Sequence, residues 1–242
     1  MKAYVGVSGF SYPSWRGMFY PKGAKSEELL ARYSERLQTV EINSSFYAPP
    51  SSAMVRSWAS KTSAGFRFSF KAPRLITHIL KLGKGASEAA EKMSKTIDQL
   101  DARRGPLLFQ LPPFSKLDIE LLRDFLSQTS AISPRVFEFR HSSWLNDSVF
   151  ALLEQQGAGF CIADTEDMEP TFQVTGGFAY FRLRKESYDE GQVDLWAERI
   201  SSAARDAEEC YVYLRHDESG RNAILAERLA RQLGNTNSPN IQ

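Results

Sequence analysis

The 242-residue sequence predicts a (β/α)₈ barrel, and three observations carry that prediction. Eight short runs rich in β-branched and aromatic residues recur along the chain, amphipathic helical stretches lie between them, and no repeat, linker or low-complexity segment interrupts the series. The length suits one barrel of this kind.

The elements follow in order. Tyr4–Ser8 reads as the first strand, followed by an aromatic loop and the helical stretch Ser26–Leu37. Thr39–Asn43 leads to Ser51–Lys61, Phe66–Lys71 to Ala86–Arg103, and Leu107–Leu111 to Asp118–Gln128. In the last of these, Leu121, Leu122, Phe125 and Leu126 mark one face of a 3.6-residue period. Arg135–Arg140 leads to Asn146–Gln156, and Phe160–Asp164 is the sixth strand. There the pattern breaks. The segment from Asp164 to Phe178 lacks helical periodicity and contains Pro170, Gly176 and Gly177, so the sixth unit is expected to be irregular. Phe178–Leu183, Gln192–Glu208, Tyr211–Arg215 and Arg221–Leu233 complete the series. A single domain over residues 1–233 is expected, with 234–242 a disordered tail.

Composition narrows the function classes. Hydrophobic residues make up 42% and charged residues 24%, ordinary for a globular chain. A formal net charge of +1 argues against a surface built throughout for phosphate backbones or anionic membranes, while leaving room for a local basic patch. No run approaches the roughly 18 apolar residues of a membrane helix, and the N-terminus has no apolar signal core, so a cytoplasmic protein without a membrane partner is expected. Cys161 and Cys210 both lie inside strand-like runs and read as buried structural thiols. No GxGxxG follows the first strand and no GxxxxGK[ST] is present, which argues against dinucleotide or P-loop sites.

Strand parity gives the site. Successive side chains on a strand face opposite ways. Phe137 and Phe139 therefore oppose Glu138 and Arg140; Phe66, Phe68 and Phe70 oppose Arg67, Ser69 and Lys71. Likewise Val40 and Ile42 oppose Glu41 and Asn43, Phe109 and Leu111 oppose Gln110, and Tyr180 and Arg182 share one face. The apolar faces must pack on the helices, so the polar ones point into the barrel near its C-terminal mouth, where barrel enzymes build active sites. Glu41, Lys71, Gln110, Glu138, Arg140, Asp164 and Arg182 are expected to converge there. A neutral buried ion network is the structural alternative, but such networks rarely add stability over apolar packing.

These residue types suit acid–base chemistry. Glu41, Glu138 and Asp164 are the candidate catalytic acids and bases, with Glu41 and Glu138 the expected proton carriers. Lys71, Arg140 and Arg182 are candidates for gripping an anion, and Asn43, Gln110 and Asp164 for orienting the substrate. Tyr12, Trp15, Tyr47 and Trp144 follow strand ends and could stack on a sugar or base. His78, His141 and His216 each follow a strand and are weak metal-ligand candidates.

The motifs VGVSGFSYPSWRGMFYP, TVEINSSFYAPPS and FRFSFKAPRLITH, with the later LLFQLPP and VFEFRHSSWLND, resemble the YecE-like family, also called domain of unknown function 72. The resemblance runs from Tyr4 to about Leu233. It implies a TIM-barrel fold and a shared polar pocket, and it brings no established activity. The chain departs from the family pattern at Arg184 and Lys185, where His-Gly is usual, and at Leu214–Asp217, where Phe-Asn-Asn is usual. Both departures make that side of the mouth more basic.

The sequence thus points to an enzyme, a hydrolase, lyase or isomerase working without a redox cofactor on a small anionic or sugar-like ligand. A phosphoesterase or nuclease using a divalent metal on nucleic acid is one alternative. A non-catalytic ligand-binding module is the other.

Overall fold

The computed structural model describes residues 1–234. Eight parallel strands pair in chain order and close, β8 against β1. They are β1 (Lys2–Ser8), β2 (Thr39–Ile42), β3 (Arg67–Lys71), β4 (Arg104–Gln110), β5 (Arg135–Glu138), β6 (Gly159–Asp164), β7 (Phe178–Leu183) and β8 (Glu209–Leu214). Around them lie α1 (Leu29–Ser34), α2 (Ser52–Ser60), α3 (Ala86–Ile97), α4 (Ile119–Gln128), α5 (Asp147–Gln155), α6 (Glu190–Ala203) and α7 (Arg221–Gln232). The architecture is the α/β TIM barrel expected. Of the expected tail, residues 235–242 lie outside the described residues. No helix among the described residues is long and apolar enough to cross a membrane.

Several helix starts are set by side-chain caps. Ser51, Asp118 and Asn146, read from sequence as the first helical residues, instead stand just before their helices and accept the backbone N–H three residues on. Such a cap satisfies one of the orphan donors of the first turn and contributes about 1 kcal/mol. Two stretches are shorter than their periodicity implied. Ser26–Leu37 begins as a 3₁₀ turn before α1, and Ala86–Arg103 leaves the α conformation at Ile97 for a 3₁₀ segment in which Asp101 has φ 51°.

β4 starts earlier than expected, at Arg104, despite Gly105 and Pro106. Opposite it, Phe68 and Phe70 pair with Arg104 and Leu107, so β4 carries one extra residue as a bulge. Gly105 is required there. A Cβ would stand 2.9 Å from Ser69 Oγ and 3.0 Å from the Phe68 carbonyl oxygen.

The sixth connection is helix-free, as its sequence predicts, with one antiparallel bridge between Thr175 and Phe178. Phe172 from this segment packs 5.8 Å from Trp196 of α6.

The two faces of each strand separate two cores. Outward, Phe68, Phe70, Phe109, Phe137 and Phe160 pack under the helices. Inward, the lower barrel is filled by Tyr4, Leu108, Val136, Cys161, Tyr180, Tyr211 and Tyr213. Tyr4 stacks on Tyr211 at 5.1 Å, and Tyr213 donates to or accepts from Thr39 and Ser69, each at 2.7 Å. Both cysteines are buried free thiols. These inward side chains plug the barrel below its midline.

Candidate active site

Register places the charged residues at one level. Ser8 pairs with Glu41, Gln110 with Glu138, and Ala163 with Arg182. All of Glu41, Glu138 and Arg182 are fully buried. Arg182 bridges the two acids, its Nη2 donating to Glu41 Oε1 at 2.8 Å and its Nη1 donating to Glu138 Oε2. Glu138 Oε1 also accepts from Gln110 Nε2 at 2.8 Å and Arg140 Nε at 3.0 Å. Glu41 accepts from Tyr180 Oη at 2.8 Å and Ser8 Oγ at 3.1 Å, and Ser8 Oγ in turn accepts from Arg184 Nη1 at 2.6 Å.

This wiring fixes the protonation states. Desolvation pushes the Glu41 and Glu138 carboxyls up, but the Arg182 guanidinium outweighs it and holds both below the ordinary carboxylate range; Arg184 assists at Glu41 and Arg140 at Glu138. Two acids pulled the same way cannot divide into a proton donor and a proton acceptor. Glu41 and Glu138, expected as proton carriers, are held in the structure as carboxylates that fix the guanidinium groups. Arg182, with each Nη engaged by a buried carboxylate, anchors the network and is not free to clamp an anion.

The cationic side chains around it behave differently. Burial, followed by the charge of Arg182, lowers Lys71 to about 8 and Arg184 to about 10. Burial and then the cations Arg184 and Arg215 keep His216 below its ordinary value, so it is neutral at pH 7.

A cavity of about 780 Å³ opens at this mouth. Glu138 and Arg140 from the end of β5, Arg184 after β7 and Arg215 and His216 after β8 line it, together with Glu166, Asp167 and Glu169 of the sixth connection. Cys161 also reaches the cavity, but burial pushes its thiol well up, which leaves it a poor nucleophile. Parity identifies the missed residues. Arg184 lies two residues beyond Arg182, and Arg215 two beyond Tyr213, on the inward side in both cases. The positions that depart from the family pattern thus include three that line the cavity.

The remaining expectations divide. Lys71, half-buried, stands over the Phe46 ring at 4.0 Å on the β3 side of the mouth. Asn43 lies at the end of β2 with its Oδ1 buried and unpartnered. Tyr12 donates to the Ser8 carbonyl at 2.9 Å and stacks 4.8 Å from His216, while Tyr47 is 84% exposed on the surface beside the mouth.

Three assignments are corrected. Asp164 shares the outward face of β6 with Phe160 and Ile162; it accepts from Tyr188 Oη at 2.7 Å, pairs with Lys185 Nζ at 3.2 Å and does not line the cavity. Trp15 and Trp144 are buried, with indole N–H groups donated to the Asp217 and Ser115 carbonyls at 2.7 Å each. They order loops and offer no face to a ligand.

His141 and His216 both line the cavity, while His78 does not. His78 packs on Phe46 at 4.9 Å, His141 hydrogen-bonds Ser143 and His216 stacks on Tyr12. Among the described residues, no three of His, Cys, Asp or Glu are placed to share a metal ion.

The closed parallel barrel with its charged, cavity-bearing mouth defines a TIM-barrel protein. The chain belongs to the family described as "Protein of unknown function DUF72", which it matches over residues 4–242. A DUF72 family protein of Thermotoga maritima MSB8, 27% identical, superposes with a TM-score of 0.81 over 96% of this chain and 99% of that one. The UPF0759 protein YecE of Escherichia coli K12 is 29% identical over 139 residues, 57% of this chain and 48% of its own length. The UPF0759 protein YunF of Bacillus subtilis 168 is 29% identical over 151 residues, 59% of this chain and 52% of its own. The chain thus spans about half the length of the curated relatives it matches.

Proposed function

We propose that the chain is an enzyme that moves a proton on a small anionic or sugar-like substrate bound in the cavity at the barrel mouth. The observation that carries this reading is the convergence of Arg140, Arg184 and Arg215, from three separate strand ends, on one cavity beside a neutral His216. Guanidinium forks bind a carboxylate or phosphate at two points, and a cavity wall of protein raises their attraction over that in water. A neutral imidazole within reach of the bound group is suited to take a proton from an adjacent carbon or hydroxyl. Returned elsewhere on the substrate, that proton gives isomerisation; loss of a leaving group gives elimination. Neither outcome calls for a redox cofactor.

In this reading Glu41 and Glu138 hold Arg182 and Arg140 in place, and Gln110 and Tyr180 orient the acids. The acidic residues of the sixth connection line the same cavity and supply acceptors for substrate hydroxyl groups.

The test is a thermal-shift screen with inorganic phosphate, sugar phosphates and sugar acids. A ligand at about 100 times its dissociation constant adds roughly 2.7 kcal/mol, several degrees for a chain this size. Arg184→Met abolishes the shift, whereas His216→Gln keeps the shift and loses turnover. A shift of wild-type size in Arg184→Met places the ligand elsewhere and overturns the reading, as does a panel without any shift.

A further inference from the structure

Beside the cavity, the loops that follow β2 to β5 form a sector of the same face with its own chemistry. Residues 43–51, 72–85, 111–117 and 139–146 contain no Asp or Glu, yet they carry Arg74, Lys81, Lys84, Lys116 and Arg140, with Lys71 at the end of β3. In a chain whose formal charge is only +1, this is a strong local excess. Acidic residues of the face begin with the sixth connection, at Glu166, Asp167 and Glu169.

Rings stand among these cations. Tyr47 is 84% exposed and Phe114 65% exposed, on loops contributed by different strands. Lys81 Nζ lies 5.6 Å from the Phe114 ring, and Tyr47 meets Phe46 edge-on at 5.2 Å, with Lys71 over the Phe46 face. These exposed rings are apolar surface that a ligand can cover, and Lys81, Lys84 and Lys116 around them have no acidic residue in the same loops, whereas Arg140 is paired with Glu138.

We infer that this sector binds single-stranded nucleic acid, going beyond the small-molecule cavity. Phosphates meet the Lys and Arg side chains, and unpaired bases stack on Tyr47 and Phe114. The pattern fits that polymer because base faces are a sequence-tolerant partner for protruding rings, while a cationic track follows the backbone. A duplex keeps its base faces stacked inside and has no use for the rings. An anionic bilayer is the rival partner, since Leu75 and Ile79 are exposed nearby. The cations interleaved with the two rings on separate loops favour the polymer, since the helical segment Leu75–Ile79 is a single turn, too short for an interfacial helix.

The experiment measures fluorescence anisotropy of labelled dT15 and rU15 with the full chain. A 15-base-pair duplex and vesicles of phosphatidylcholine with phosphatidylserine are the competitors. Engagement of about four cations predicts roughly 50-fold weaker binding between 50 and 200 mM salt. Tyr47→Ala with Phe114→Ala weakens binding about tenfold or more at an unchanged melting temperature. Lys81→Glu with Lys84→Glu weakens it further and flattens the salt dependence. The cavity variant Arg184→Met leaves oligonucleotide affinity intact, which separates this site from the cavity. Equal binding of duplex and single strand, wild-type affinity in the ring variant, or binding to the vesicles in place of the oligonucleotides each overturns the inference.

Discussion

The barrel interior has two storeys, and they solve the burial of polar groups in opposite ways. The lower one is mostly aromatic: tyrosine rings fill the space, Tyr213 pairs with Thr39 and Ser69, and charge enters at the floor, where Tyr211 donates to the half-buried Glu209 at 2.6 Å. The upper one is ionic, with Arg182 between Glu41 and Glu138 and a buried Arg182 Nε without a partner. Neutral hydrogen bonds recover most of their desolvation cost, whereas ions must be paired in full to break even. The lower storey is explained by stability alone. The upper one is not, and it lies directly beneath the cavity.

The comparison predicts a graded series of losses. Arg182→Met strands two buried carboxylates and is expected to destabilise by about 3–5 kcal/mol in urea unfolding. Adding Glu41→Leu and Glu138→Leu to it should recover stability, since the charges then leave together; a triple variant weaker than the single one would mean the ionic storey does stabilise the fold. Next comes acid. Both carboxyls sit below the ordinary glutamate value when folded, so the unfolded chain binds more protons as pH falls. Their stabilisation is complete above about 4.5 and is lost progressively below it, a limb of the pH–stability curve that the triple variant should shorten. Tyr213→Phe removes one neutral partner from two hydroxyls and should cost about 1–2 kcal/mol, with no change in that acid limb. Lys71 gives a slope of the same sign at the other end of the pH scale, here as relief of a buried charge. Its folded value of about 8 lies below the ordinary 10.5, so stability should rise modestly from pH 8 to 10.5, and Lys71→Met should abolish the rise. Smallest is Arg140→Ala. Its side chain is 39% exposed, and the loss should stay under about 1 kcal/mol while ligand binding falls.

Sequence reading succeeded where a local rule governs. The alternation of Phe with Glu, Ser, Lys and Arg in β3 and β5 decides which face meets the helices, and it placed Glu41, Gln110, Glu138 and Arg182 together. The same rule, applied to β6, puts Asp164 outward beside Ile162; grouping it with the other acids by charge overrode parity and misplaced it. Trp15 and Trp144 could not be read at all, because their carbonyl partners lie 202 and 29 residues away in the chain. Their burial is a property of loop packing that no periodicity encodes. The end of the third helical stretch was hidden likewise, since Asp98 pairs with Arg104 only after the chain has left the helix for β4.

The helix-free sixth connection gives the protein a cheap place to change. It contributes one wall of the cavity, from Thr165 to Thr171, without a helix registering it against the barrel. Lengthening such a segment costs stability only logarithmically, and substitutions in it do not disturb the strand pairing. Ligand preference can therefore drift through this wall over evolutionary time while the arginines beneath it stay fixed. For a protein engineer, it is the first stretch to randomise.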